Sequence, residues 1–342
     1  HSTLFPYTTL FRSPPGQDHH GLHGKPLHPA PGVAYGPVAA GPCRPAPLGK
    51  PGGAGYSGSV TGPTPSTAGY GLQAKKAFGQ NFLVQRSAVE LILREGLGAA
   101  SEALLEVGPG PGTLTEGLLA EGRPLWAVDL DPEACDLLRQ RYGAQAHFHL
   151  LQGDAVRVPL PDAASWSVIG NLPYNAATAI LGRFLLEPIP WTRMVLMFQL
   201  EVGQKILGRP GEKAYRPLSV LAQVASRPQR LLKLGPGAFR PSPKVDSVVL
   251  RFDPRPDAPD LDHRARLLRL LHLGFAHRRK TLANNLTPRL GPAVPDLLGA
   301  EGLPPMVRGE ALAPSQWLSL LARLESAGLR MSHAEDDPSP GI

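Results

Sequence analysis

Apolar residues recur along this chain in short bursts separated by glycine, proline and acidic punctuation. Ala103 to Val107 is an apolar run that predicts a strand ending at Glu106-Val107-Gly108, and a glycine-rich turn follows. Thr113 to Ala120 then carries helical spacing. Leu125 to Val128 predicts a second strand ending at Asp129. Asp131-Pro132-Glu133 reads as the cap, first residue and first-turn acid of the next helix. His147 to Gln152 predicts a third strand, closed by Gly153-Asp154. Trp166 to Gly170 predicts a fourth, running into Asn171-Leu172-Pro173-Tyr174. Met194 to Gln199, Leu218 to Ala225 and Lys244 to Phe252 supply later strands, the last alternating with period two as a half-exposed antiparallel strand does. Strands alternating with helices predict an α/β fold with a mostly parallel, doubly wound sheet. From about Asp260 to about Ala327 the pattern is helical, which predicts a small C-terminal all-α domain.

The ends of the chain depart from this pattern. From Pro14 to about Tyr70 roughly two residues in five are glycine or proline, Asp18 is the sole acid and apolar periodicity is absent. Such a stretch buries too little surface to offset the entropy of ordering, so residues 1–70 are expected to form a disordered, removable tail. Thr3 to Ser13 resembles a translated sequencing adapter, so residues 1–13 are expected to be an artefact, with a genuine flexible extension as the alternative. The first methionine is Met194, so another codon is expected to start translation, Val60 being one candidate. The expected organisation is a sheet domain over 71–255, a helical domain over 256–328 and a disordered acidic tail over 329–342.

A net charge of +7 over 342 residues favours a polyanionic partner, with a basic surface kept for solubility as the competing explanation. Cys43 and Cys135, the two cysteines, form no CxxC pair and no metal-ligand spacing. That argues against a disulfide framework and points to a reducing cytoplasm. No apolar run approaches the roughly 18 residues of a membrane span. The N-terminus also lacks the basic-then-apolar order of a signal peptide.

Glu106-x-Gly108-x-Gly110-x-Gly112 sits between a predicted strand and a predicted helix. Glycines there let the backbone turn sharply and pass close to a bound nucleoside. A dinucleotide fingerprint needs GxGxxG, and its third glycine falls on Thr113. GxGxG with an acid two residues ahead favours S-adenosylmethionine, which has no pyrophosphate to seat on a helix N-terminus. A plain connecting turn is the alternative for the loop taken alone. Asp129 and Asp154 end the next two strands, where one can accept hydrogen bonds from ribose hydroxyls and the other from an adenine amino group. Open α/β sheets bind ligands at such strand ends.

Asn171-Leu172-Pro173-Tyr174 ends the fourth strand and is the most informative tetrapeptide. An exocyclic adenine amine is a poor nucleophile because its lone pair is delocalised into the ring. Accepting hydrogen bonds from both N–H groups draws that nitrogen toward sp³ geometry and frees the lone pair. The Asn171 side-chain oxygen and the Leu172 backbone carbonyl suit this task, with Pro173 stiffening the turn. Tyr174 offers a face for a flipped base. An ordinary Asn-Pro-type turn is the bland alternative.

With these residues the chain resembles the ribosomal RNA adenine N6-dimethyltransferases of the KsgA/RsmA group, bacterial small-subunit type. The resemblance runs from about Lys75 to about Leu324. It rests on Phe78 to Leu83, the glycine loop, Asn171 to Tyr174, Phe239 to Ser247, His277 to Leu282, and Arg308-x-Glu310-x-Leu312. It implies a Rossmann-like class I S-adenosylmethionine-dependent methyltransferase sheet over 71–255, an RNA-binding helical domain over 256–328, and no metal. It implies dimethylation of two adjacent adenines in the 3′-terminal hairpin loop of 16S rRNA, in an immature 30S particle, by a cytoplasmic monomer. The implied cofactor contacts are Asn81, Leu83, Gly108, Gly110, Asp129, Asp154 and Asn171. The implied catalytic set is Asn171, Leu172, Pro173, Tyr174 and Phe239, the last as a second aromatic face for the base. Lys75, Lys76, Arg240, Lys244, Arg278, Arg279 and Lys280 are the expected RNA contacts. Three positions depart from the family pattern: Asp129 stands where Glu is usual, Arg216 where Gly is common, and Asn175 to Ala179 lacks the usual Ser and Pro.

Three other functions compete. A resistance-type methyltransferase of large-subunit rRNA is the nearest, and a DNA adenine methylase, whose site reads Asn or Asp-Pro-Pro-Tyr or Phe, is more distant. The third is an RNA-binding assembly or transcription factor that keeps the fold without needing catalysis. Phe239 to Ser247 and Arg278-Arg279-Lys280 favour small-subunit rRNA over the first two. The intact glycines and Asn171 to Tyr174 argue against a purely structural role.

Overall fold

The computed structural model describes residues 80–329, so the N-terminal tail, Lys75, Lys76 and the chain beyond Leu329 lie outside the described residues. Within them, β1 (Phe82–Leu83) and α1 (Arg86–Leu97) precede β2 (Ala103–Val107), α2 (Thr115–Leu119), β3 (Leu125–Asp129), α3 (Pro132–Tyr142), β4 (Phe148–Gln152) and β5 (Trp166–Asn171). The chain continues through α4 (Ala177–Leu186), β6 (Trp191–Gln199), α5 (Leu200–Leu207), α6 (Pro217–Ala225), β7 (Ser226–Leu234), β8 (Phe239–Arg240) and β9 (Ser247–Pro254). Helices α7 (Leu261–Phe275), α8 (Leu282–Leu290), α9 (Val294–Ala300) and α10 (Pro314–Ser326) complete it.

Seven strands form one sheet in the order β4-β3-β2-β5-β6-β9-β7. The first five lie parallel, and β9 and β7 close the sheet antiparallel. Strand order therefore reverses between β2 and β5, the place where doubly wound sheets open a crevice. β2 is buried along its whole length, as a central parallel strand covered on both faces must be. Alternate residues serve two cores: Ala103, Leu105 and Val107 face one, and Leu104 the other. The expected cap is present: Asp131 accepts from the Glu133 N–H at 3.1 Å and Pro132 follows at the first helical position.

Two sequence expectations need correction. Leu218 to Ala225 is not a strand but most of α6. A short apolar run buried on all sides fits either period, and here the flanks decide. Pro217 opens the helix, and the Ser219 hydroxyl accepts from the Arg216 N–H at 2.9 Å. The strand lies next along the chain, in β7, whose Pro228 and exposed Arg227, Arg230 and Lys233 hide it from a hydrophobic pattern. As the outer strand of the sheet, β7 can tolerate a proline and gains protection from its charges. The final expected strand begins at Ser247 rather than Lys244, and Ser247 to Leu250 are all buried because β9 lies between β6 and β7.

A third core joins Tyr215, Val220 and Val224 to the C-terminal helices through Leu267, Leu282 and Trp317. The Tyr215 hydroxyl donates to the Leu312 carbonyl at 2.8 Å. Phe275 stacks on Trp317 at 5.5 Å, and a Cβ on Gly274 would stand 2.4 Å from the Trp317 ring. Gly274→Ala should therefore destabilise the protein by about 1–3 kcal/mol through overpacking. Urea unfolding measures this directly; an unchanged midpoint would mean that α7 and α10 do not pack as described.

Candidate active site

The carboxyl ends of β2, β3, β4 and β5 converge at the switch point and carry Gly108, Asp129, Asp154 and Asn171 to one cavity of about 220 Å³. Gly108 has φ of 71°, a conformation that favours glycine, and a Cβ there would stand 3.0 Å from the Asn171 carbonyl oxygen. Gly110 also borders the cavity, under the Phe82 ring.

The Asp129 carboxylate is aimed by the backbone. One oxygen accepts from the Gly110 N–H at 3.0 Å and the other from the Asp131 N–H at 2.9 Å. A carboxylate has about four lone-pair positions, so acceptor capacity remains for a ligand. Burial raises the Asp129 pKa against these hydrogen bonds. Asp154 lies at the exposed rim, one oxygen accepting from the Val156 N–H at 2.9 Å. Buried Arg183, paired with Glu187, donates to the Ala155 carbonyl at 2.8 Å and fixes that part of the rim.

Glu106 does not border the cavity. It is buried beneath the glycine loop, where the Thr115 hydroxyl donates to it at 2.7 Å. Desolvation, and to a lesser degree the Asp129 charge, raise its pKa to about 8, against the Thr115 hydrogen bond. At neutral pH Glu106 is thus a protonated structural acid.

Beside Gly108, the Asn171 amide nitrogen donates to the Asn81 carbonyl at 2.9 Å. With its donor engaged, the side-chain oxygen is left as an acceptor. The Tyr174 hydroxyl shares a 2.7 Å hydrogen bond with the Ser247 hydroxyl, and burial raises the tyrosine pKa, so the ring stays neutral. Leu172 and Pro173 complete this wall.

Asn81, Gly108, Gly110, Asp129, Asp154 and Asn171 to Tyr174 are thus brought together as expected. The side chains of Leu83 and Phe239 are elsewhere. β1 and β8 pair antiparallel, with Phe82 opposite Arg240 and Leu83 opposite Phe239. Successive residues of a strand point to opposite faces, so Phe82 meets the cavity while Leu83 and Phe239 turn into the core at 2% and 0% exposure. Phe239 therefore offers no stacking face to the cavity here; Phe82 and Tyr174 are its aromatic walls. Gln80, Phe82 and Leu130 were missed as lining residues. The first two stand in the Phe78 to Leu83 segment, a motif whose sequence does not say which side chains face the cavity.

The basic residues divide as well. Arg240 and Lys244 are exposed on either side of the β8–β9 turn, as are Arg279 and Lys280 between α7 and α8. Arg278 is half-buried and ion-paired with Glu310.

Two outcomes follow from the acids. Because folding raises the Glu106 pKa from 4.5 to about 8, its contribution to stability is full below pH 4.5 and is lost as pH rises through 8. Glu106→Gln should flatten the decline in stability across that window; urea midpoints with an unchanged pH slope would refute the buried-acid assignment. Asp129→Asn leaves one acceptor atom where two backbone donors now bind. Charge-assisted hydrogen bonds contribute roughly 1.5–3 kcal/mol, so S-adenosylmethionine affinity should fall about ten- to a hundredfold. Calorimetry finding equal affinity would show that the nucleoside is held elsewhere.

A family model described as ribosomal RNA adenine dimethylase matches residues 71–325. The chain is 39% identical over 276 residues to ribosomal RNA small subunit methyltransferase A of Geobacter sulfurreducens, covering 76% of this chain and 98% of that protein. It is 38% identical over 261 residues to the protein of the same name from Pseudomonas aeruginosa, covering 75% and 96%. Among solved structures, a dimethyladenosine transferase from Plasmodium falciparum matches with a TM-score of 0.64 at 21% identity, covering 73% of this chain and 100% of that one. The 23S rRNA methyltransferase ErmE matches with a TM-score of 0.57 at 24% identity, covering 72% and 100%. These two structures share the fold. On the family model and the near-full-length coverage of its relatives, the chain belongs to the ribosomal RNA adenine dimethylase family.

Proposed function

We propose that this protein transfers methyl groups from S-adenosylmethionine to the N6 amines of two adjacent adenines in the 3′-terminal hairpin loop of 16S rRNA. It acts as a monomer in the cytoplasm, on an immature 30S particle late in assembly. The observation that carries this reading is the Asn171 amide, whose nitrogen is tied to the Asn81 carbonyl so that its oxygen remains to accept an amine N–H. Family membership narrows the amine to adenine in ribosomal RNA, and the names of the relatives point to the small subunit.

The glycine loop fits the cofactor, since a side chain at Gly108 would fill space between the two strand ends that border the cavity. Asp129 and Asp154 would hold its ribose and adenine, with Asn81 and Gly110 beside them. When bound, S-adenosylmethionine supplies an electrophilic methyl on a sulfonium. Asn171 and the Leu172 carbonyl hold the target amine by its two N–H groups, localising the nitrogen lone pair for in-line attack. Pro173 keeps that turn rigid, and Tyr174 supports the flipped base by stacking. A strong base would not be required: as the new C–N bond forms, the methyl's bond to sulfur breaks to leave a neutral thioether, and the cationic nitrogen then releases a proton to solvent. The helical segment over 256–328 presents Arg279 and Lys280 to RNA phosphates, and Arg240 and Lys244 do so from the sheet domain.

Asn171→Ala removes one preorganised contact and should lower transfer about 10²–10³-fold at saturating cofactor, with RNA binding retained. The assay is labelled-methyl transfer to immature small-subunit particles; near-normal transfer would remove the amine-holding role. If the unaltered protein bound RNA and cofactor but methylated no rRNA, it would be an assembly factor instead. Replacing Arg279 and Lys280 with alanine should flatten the salt dependence of RNA binding, each lost phosphate contact reducing the log–log slope by about 0.7–0.9. An unchanged slope would place the RNA on another face.

A further inference from the structure

We infer that Ser247 is a positioning residue for the target base, holding the Tyr174 ring through its buried hydroxyl and tying that ring to the basic loop between β8 and β9. The inference deepens the adenine-methyltransferase reading and rests on it. Ser247 is fully buried and does not border the cavity, so it has no direct route to substrate. Its hydroxyl lies 2.7 Å from the Tyr174 hydroxyl. Tyr174 stands in an irregular turn beyond β5, where no ladder fixes the backbone, so the distal hydrogen bond is what anchors the far end of the ring.

Ser247 itself cannot drift. It opens β9 with Gln199 of β6 on one side and Leu234 of β7 on the other. One residue earlier, the Asp246 carbonyl accepts from the Leu200 N–H at 2.8 Å and the Asp246 carboxylate pairs with Lys233 at 2.8 Å. Directly before that anchor the chain carries exposed Lys244 and Val245, and Arg240 stands at the loop's start. The cations that meet RNA and the ring that receives the base are thus indexed to the same rigid point. A base flipped out of an RNA strand needs its stacking partner at a defined distance from the phosphates that the protein grips. Ser247 supplies that registration without touching either.

The test is a double-mutant cycle of Ser247→Ala and Tyr174→Phe, both of which remove the hydrogen bond and keep the ring. Ser247→Thr serves as the hydroxyl-restoring variant. Readouts are kcat and KM for labelled-methyl transfer to immature small-subunit particles, cofactor affinity by calorimetry, and thermal melting. Base capture is read from the fluorescence of a hairpin RNA with 2-aminopurine at the target position. Loss of one hydrogen bond should reduce kcat/KM for RNA about three- to tenfold in each single variant and lower the aminopurine signal. Cofactor affinity should not change, the threonine variant should recover most of the loss, and the double variant should be no worse than the weaker single. Ser247→Ala with normal transfer and normal aminopurine signal overturns the inference. So does a double variant whose losses multiply, or a loss that only tracks melting temperature and is not recovered by threonine. Failure of the unaltered protein to methylate adenine would instead sink the functional reading and this inference with it.

Discussion

A Cβ atom on Gly170 would stand 2.6 Å from the Val107 carbonyl oxygen, and one on Gly108 would stand 3.0 Å from that of Asn171. Strands β2 and β5 therefore approach each other at their carboxyl ends more closely than side chains would allow. This approach sits where strand order reverses, so it determines the width of the crevice as well as its floor. It sets the glycine loop, which would seat a nucleoside, directly against the turn that would hold an amine. Methyl transfer in line requires such adjacency, because misplacement by about 1 Å can cost a hundredfold in rate. The remaining features of the site act on this junction. Asp129 ties the loop to β3 through Gly110, and the Asn81 carbonyl ties Asn171 to the Gln80–Phe82 segment that lines the cavity.

The acids near the junction have separate duties that follow from their surroundings. Glu106 lies under the loop with the Thr115 hydroxyl donating to it, and burial keeps it protonated. Asp129 faces the cavity with two backbone donors, which oppose the effect of burial. A protonated Glu106 adds no further negative charge beside Asp129, whose pKa the Asp131 charge already raises. The neutral acid thereby helps keep the cavity-facing one an acceptor for hydroxyl groups.

The parallel half of the sheet was legible because its strands are apolar runs ended by the residues that carry the chemistry. Ala103 to Val107 and Trp166 to Asn171 show burial and function in the same few positions. Legibility failed where composition and environment part company. The apolar Leu218 to Ala225 is a helix because its Arg216–Ser219 cap and Pro217 set the period, while the strand beside it reads as a charged linker. Family motifs located Leu83 and Phe239 near the site but not which way their side chains face. That orientation depends on a two-residue antiparallel pairing between segments more than 150 positions apart, which local pattern does not encode. Arg216, unexplained by sequence, closes its own loop by donating to the Lys213 and Tyr215 carbonyls at 2.7 and 2.8 Å.

The basic run Arg278-Arg279-Lys280 shows how a single charge cluster divides in three dimensions. Arg278 turns inward to Glu310, whose own carbonyl accepts from the Gly211 N–H of the α5–α6 loop at 2.7 Å. Tyr215, from the same loop, donates to the Leu312 carbonyl. The segment from Glu310 to Leu312 is thus held by the C-terminal helices on one side and by the α5–α6 loop on the other. The Arg278–Glu310 ion pair is partly exposed, at 32% and 24% of the two side chains, so it adds little net energy of its own. Its consequence is geometric: Arg279 and Lys280 project from a turn whose base is fastened to the loop ahead of α6. The phosphate contacts proposed for the helical segment are then held at a fixed offset from the sheet that carries Asn171. A methyltransferase acting on a base extruded from a folded RNA needs that offset, because both ends of the substrate must be engaged at once.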